Sequence, residues 1–143
     1  MNRLIVITML VAVLFLAACS APAAPLTTVE VVGKQVSVSG GNYTDVSVNE
    51  LQTMLANKDF TFVNVHVPFE GSISGTDLTI PYDQIAQNLD KLPDKTAKIV
   101  LYCRSGRMSA IAAEALVGLG YSDIWNLSGG MAAWEQTGLK IER

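Results

Sequence analysis

Apolar and polar positions alternate in two different periods along the second half of this chain. Phe60-Thr61-Phe62-Val63-Asn64-Val65, Ile99-Val100-Leu101-Tyr102 and Ile124-Trp125-Asn126-Leu127 are short β-branched and aromatic runs that predict buried strands. Between them the period lengthens. Ser47-Val48-Asn49-Glu50 is a capping box, and Leu51, Met54 and Leu55 form an apolar helical face behind it. Pro81 stands at a first helical turn and introduces Tyr82 to Leu89, with Ile85 and Leu89 on one side. A helix rich in small residues runs from about Ser109 to Gly118, with Gly120 suited to a left-handed cap. Gly129-Gly130 opens a last helix through Trp134, closed by Gly138. Strands separated by helices in this rhythm predict an α/β fold, a mostly parallel sheet with helices on both faces.

The first 41 residues read differently. Leu4 to Leu16 is an apolar run broken only by Thr8, too short to span a bilayer comfortably and preceded by Arg3. It ends in Leu16-Ala17-Ala18-Cys19, which resembles a bacterial lipobox, with cleavage before Cys19 and a lipid on that cysteine. An ordinary signal peptide or an uncleaved anchor is the blander alternative; a cysteine directly after the small pair favours the lipobox. Residues 1–18 are thus expected to be a lipoprotein-type signal peptide. Residues 19–41, with Pro22 and Pro25, are expected to be a lipid-anchored flexible tether. Val29, Val31, Val36 and Val38 could make an edge strand there, but Gly33 and Gly40-Gly41 interrupt them. The folded domain is expected over 42–143, and the protein is expected to be exported and held at the bacterial membrane or envelope.

Charge and cysteine count narrow the chemistry. Removing residues 1–18 takes away Arg3 alone among charged residues, so the formal charge moves from −3 to −4. With no basic stripe, nucleic acid is not an expected partner. The chain has two cysteines, and a lipidated Cys19 leaves Cys103 as the only thiol of the mature protein. A single free cysteine in an oxidising compartment points to reactivity. His66 is the only histidine, so no His-rich metal site is expected, and no cofactor is called for. A histidine in a turn is usually a hydrogen-bonded surface residue, and none of the chemistry is assigned to it. Trp125 and Trp134 read as packing residues.

Cys103 sits in Cys103-Arg104-Ser105-Gly106-Arg107-Met108, between a strand and a helix start. Open α/β sheets place ligands at this point. Loop amides, the helix dipole and the two arginines all favour the thiolate. Together with Ser109, the Ala-rich helix ending Leu119-Gly120-Tyr121, and Leu127-Ser128-Gly129-Gly130-Met131-Ala132-Ala133-Trp134, the loop resembles the rhodanese-like sulfurtransferases over essentially 42–143. The resemblance implies a thiolate that takes a sulfane sulfur from thiosulfate or a persulfide, holds it as a Cys103 persulfide and passes it to a thiol or cyanide.

That chemistry needs a thiolate, a cationic rim for an anionic donor, and amide donors around the terminal sulfur. Arg104, Ser105, Gly106, Arg107, Met108 and Ser109 are the expected substrate-binding residues. Arg107 is the better placed for the donor, and Arg104 is free to face the acceptor. Ser105 and Ser109 can cap the helix or donate to the bound sulfur, with capping the blander role. The expected partners are a small anionic donor, a thiol or other small nucleophile (a protein thiol included), and the membrane through the anchor.

The chain departs from the family where many members carry Asp-x-Arg; here the stretch reads Asn64-Val65-His66, followed by Pro68 and Glu70. A buried ion pair near the rim is therefore not expected. Two rival readings remain: a non-turnover persulfide carrier or binding module, and a cysteine phosphatase. The latter needs Cys-x5-Arg, and position 109 is serine.

Overall fold

The computed structural model describes residues 31–143; Cys19, the signal segment and most of the expected tether lie outside them. Six strands form one sheet: β1 (Lys34–Val38), β2 (Gly41–Val46), β3 (Thr61–Asn64), β4 (Leu78–Thr79), β5 (Ile99–Tyr102) and β6 (Ile124–Leu127). Their spatial order is β1-β2-β6-β5-β3-β4, antiparallel between β1 and β2 and parallel elsewhere. The helices are α1 (Val48–Ala56), α2 (Arg107–Gly118) and α3 (Gly130–Gln136), with 3-10 segments at Tyr82–Gln87 and Leu89–Lys91.

Strand alternation sorts the core into two layers. Ile99, Leu101 and Cys103 pack with Val63, Val65, Ile85, Ala112 and Leu116, beneath α2 and the 3-10 segments. Val100 and Tyr102 face the other way, onto Leu51, Phe62, Met131 and Trp134 of the α1 and α3 side. All four residues of β5 are fully buried, as a central parallel strand covered on both faces requires.

The capping box forms as read: Glu50 N–H donates to Ser47 Oγ, and the Glu50 carboxylate accepts from Ser47 N–H at 2.8 Å. The helix expected from Tyr82 to Leu89 is instead a pair of 3-10 segments, and two boundaries also shift. Residues 34–38, read as tether, are the edge strand β1, paired with β2 from Lys34↔Asp45 to Val38↔Gly41. Gly40 and Gly41 do not interrupt this strand; Ser39-Gly40 makes the turn of its hairpin, Gly40 with a φ of 92°, and Gly41 opens β2. The second helix begins at Arg107, two residues before the expected Ser109, because Gly106 takes a left-handed conformation (φ 89°) that turns the loop directly into the helix.

Candidate active site

Cys103 follows β5 immediately, on the face that carries α2. Its Sγ accepts hydrogen bonds from Gly106 N–H (3.1 Å) and from Ser109 Oγ (3.4 Å). The Ser109 hydroxyl has one proton and two acceptors, since Gly106 O lies at 3.2 Å. A neutral sulfur is a weak acceptor, whereas a thiolate is a charged one, so charge on Cys103 draws that proton to the sulfur. Neither serine of the loop caps α2, whose N-cap is Gly106 without a side-chain bond. This corrects the expected capping role: Ser109 is fully buried within the helix and turned to the thiol, and Ser105 is exposed.

The loop is clamped from behind. Met131 N–H and Ala132 N–H, in the first turn of α3, donate to the carbonyls of Cys103 and Arg104, both at 2.9 Å. A trans peptide points its N–H opposite to its C=O. The Arg104 and Ser105 N–H groups are therefore directed away from α3, and the loop presents donors on the side that its carbonyls leave. α2 adds first-turn N–H groups that have no intrahelical partner. The approach of α3 depends on Gly130, where a Cβ would stand 2.2 Å from Cys103 O. Gly129 and Gly130 are thus packing residues of the loop. The hollow lined by Ile73, Thr76 and Asp77, about 220 Å³, contains no residue of this site.

Around the rim, Arg107 and Ser105 are exposed and Met108 is half-buried. Arg107 has no acidic partner among the described residues. Arg104 is held instead, its guanidinium donating to Glu70 Oε2 at 2.8 Å. A rim ion pair therefore exists where a buried one was not expected, and it is solvent-exposed, with side-chain accessibilities of 48% for Arg104 and 40% for Glu70. His66 also differs from the expected surface residue: it is 8% exposed, and neither ring nitrogen has a hydrogen-bond partner. Its Nε2 lies 3.4 Å from the same Glu70 oxygen. Asn64, fully buried in the strand before this turn, accepts from His66 N–H (3.0 Å) and donates to Gly71 O (2.9 Å), closing the 64–71 turn. Glu70 was missed as a site residue; its signal was an acid two residues after Pro68, with no marker of the distant arginine it meets. No group of three or more His, Cys, Asp or Glu side chains suited to a metal occurs among the described residues.

Comparison with known proteins matches this geometry to one family. A profile described as "Rhodanese-like domain" matches residues 47–137. A protein named "Sulfurtransferase" from Allochromatium vinosum is 34% identical over 93 residues, covering 63% of this chain and 85% of that protein. The crystal structure of a rhodanese-like domain protein from Staphylococcus aureus superposes with a TM-score of 0.58 at 33% identity, covering 69% of this chain and 98% of that one. An NAD-dependent persulfide reductase from A. fulgidus gives 0.54 at 29% identity, covering 64% of this chain but 16% of that one.

Proposed function

The chain belongs to the rhodanese-like domain family, and from that premise we propose that it is a sulfurtransferase working through a Cys103 persulfide. The observation that carries the reading is the sulfur itself, at the end of a buried parallel strand with an amide and a hydroxyl aimed at it. The Cys103 thiolate attacks the outer sulfur of thiosulfate. A new S–S bond forms, the old one breaks, and its electron pair leaves on sulfite. The product is a Cys103 persulfide anion, whose terminal sulfur meets the donors of Arg104 to Ser109. An acceptor, cyanide or a thiolate, then attacks that outer sulfur, and the electron pair returns to Cys103 as thiolate. Arg107 binds the donor's charge and Ser109 stabilises the thiolate. A persulfide donor reacts in the same way, with a thiolate as leaving group.

Phosphatase chemistry lacks its arginine. The residue at the Cys-x5-Arg position is Ser109, buried against the sulfur. We also propose that Cys19 carries a lipid and holds the domain at the bacterial envelope; support comes from the Leu4–Leu16 run and its Ala17-Ala18-Cys19 ending.

Intact-mass analysis after exposure to thiosulfate tests the main reading. We expect a gain of about 32 Da, one sulfur atom, on the wild-type protein. The gain should vanish on adding cyanide and be absent from Cys103→Ser, which remains folded. Repeated thiocyanate release marks an enzyme, whereas one sulfur per chain without turnover marks a carrier. Turnover by Cys103→Ser overturns the assignment.

A further inference from the structure

One carboxylate oxygen at the rim faces two groups. Glu70 Oε2 accepts from Arg104 at 2.8 Å and lies 3.4 Å from His66 Nε2. The placement is built from the backbone. Tyr102 pairs with Asn64 across β5 and β3, and Val65 N–H donates to Tyr102 O, so the chain past β3 runs beside the chain past β5. Asn64 closes the turn that carries Glu70. His66 stands behind with both ring nitrogens unpartnered in a buried setting, a cost relieved when its N–H bonds the carboxylate. The His66 ring is thus a second group beside the carboxylate oxygen that holds Arg104.

We propose that Glu70 is a positioning residue that sets donor specificity: its carboxylate holds Arg104 away from the anion site, and a dianionic donor must compete for that guanidinium. The inference rests on the sulfurtransferase reading of Cys103. With Glu70 engaged, the two arginines and the carboxylate sum to one positive charge at the rim. A monoanionic donor is matched by Arg107 alone. The second charge of thiosulfate is matched only when Arg104 exchanges partners. Exposed ion pairs are weak enough for that exchange, so Glu70 tunes selectivity without closing the site.

The test compares thiosulfate, a dianion, with benzenethiosulfonate, a monoanion. Each gives its outer sulfur to the Cys103 thiolate and departs with the electron pair of the broken S–S bond, as sulfite or benzenesulfinate. Glu70→Gln should lower KM for thiosulfate by about two- to fivefold, the size of a surface ion pair, with kcat unchanged. KM for benzenethiosulfonate should move less. In an Arg104→Ala background, Glu70→Gln should change neither value further. An unchanged thiosulfate KM, an equal shift for both donors, or a full effect without Arg104 overturns the role of Glu70. Wild-type protein that takes sulfur from neither donor overturns the sulfurtransferase reading, and this inference with it.

Discussion

Two arginines flank the same thiol, and their surroundings separate them. Arg104 is tied to Glu70, whereas Arg107, at the start of α2, meets no acid among the described residues. Arg107→Ala should therefore cost more for thiosulfate than Arg104→Ala. A charge-assisted hydrogen bond is worth roughly 1.5–3 kcal/mol, about a tenfold to hundredfold loss in kcat/KM when made in the transition state. Steady-state kinetics of both variants decide it; equal losses, or none for Arg107→Ala, contradict the assignment. At this scale the loop could be read from sequence because its signals are local: strand, cysteine, glycine and helix start within ten residues. The Glu70–Arg104 pair could not, because its members lie 34 residues apart and meet only through a turn that Asn64 closes. His66 was misjudged for the same reason, since its burial is set by that turn.

Elements carry their own predictions. α3 reaches the loop only because Gly130 has no side chain, and its φ of 57° is in the left-handed region. Gly130→Ala should push α3 from the Cys103 and Arg104 carbonyls and cost at least about 1–3 kcal/mol, as overpacking does. Denaturant unfolding reads the stability, and loss of sulfur loading reads the loop. In α1, Glu50 is a stabilising anion. Hydrogen bonds from the Ser47 backbone, the Ser47 hydroxyl and the Gly33 backbone hold its carboxyl below the ordinary value of 4.5. A lowered folded-state value means stability that is present above the unfolded value and lost as pH falls through the folded one. Melting temperature should drop below about pH 4.5, and Glu50→Gln should flatten that part of the curve while lowering the plateau at neutral pH. A mutant curve parallel to the wild type at acid pH would show that other carboxylates carry the effect. Strands β3, β5 and β6 were readable because burial on both faces demands short runs rich in β-branched and aromatic residues, unbroken by charge. β1 was not: an exposed edge strand buries little, so its pattern is weak. β4, two residues long, has too few positions to show a period.

For the molecule as a whole, the proposed lipid on Cys19 predicts that Cys19→Ala moves the protein from the membrane fraction to the soluble one with unchanged specific activity. Fractionation and assay of both forms check this, and a released but inactive protein would show that the upstream segment supports the fold. The two-layer α/β architecture followed from the order of the elements, whereas the point where the chain enters the sheet came only from β1. That point bears on orientation. β1 runs antiparallel to β2, so its first residue, Lys34, pairs with Asp45 near the end of β2. β2, β6 and β5 run parallel, and Cys103 follows the end of β5. Lys34 and the thiol therefore lie at the same end of the strands, three strand spacings apart, or about 14 Å. Gly33 N–H, donating to Glu50 at 3.0 Å, secures the entry there. Residues 20–33 can extend at most about 50 Å. Under the proposed lipidation of Cys19, the tether would join the domain at the end of the strands that holds the thiol, so Cys103 would lie nearer the mooring point than the opposite end of the sheet does.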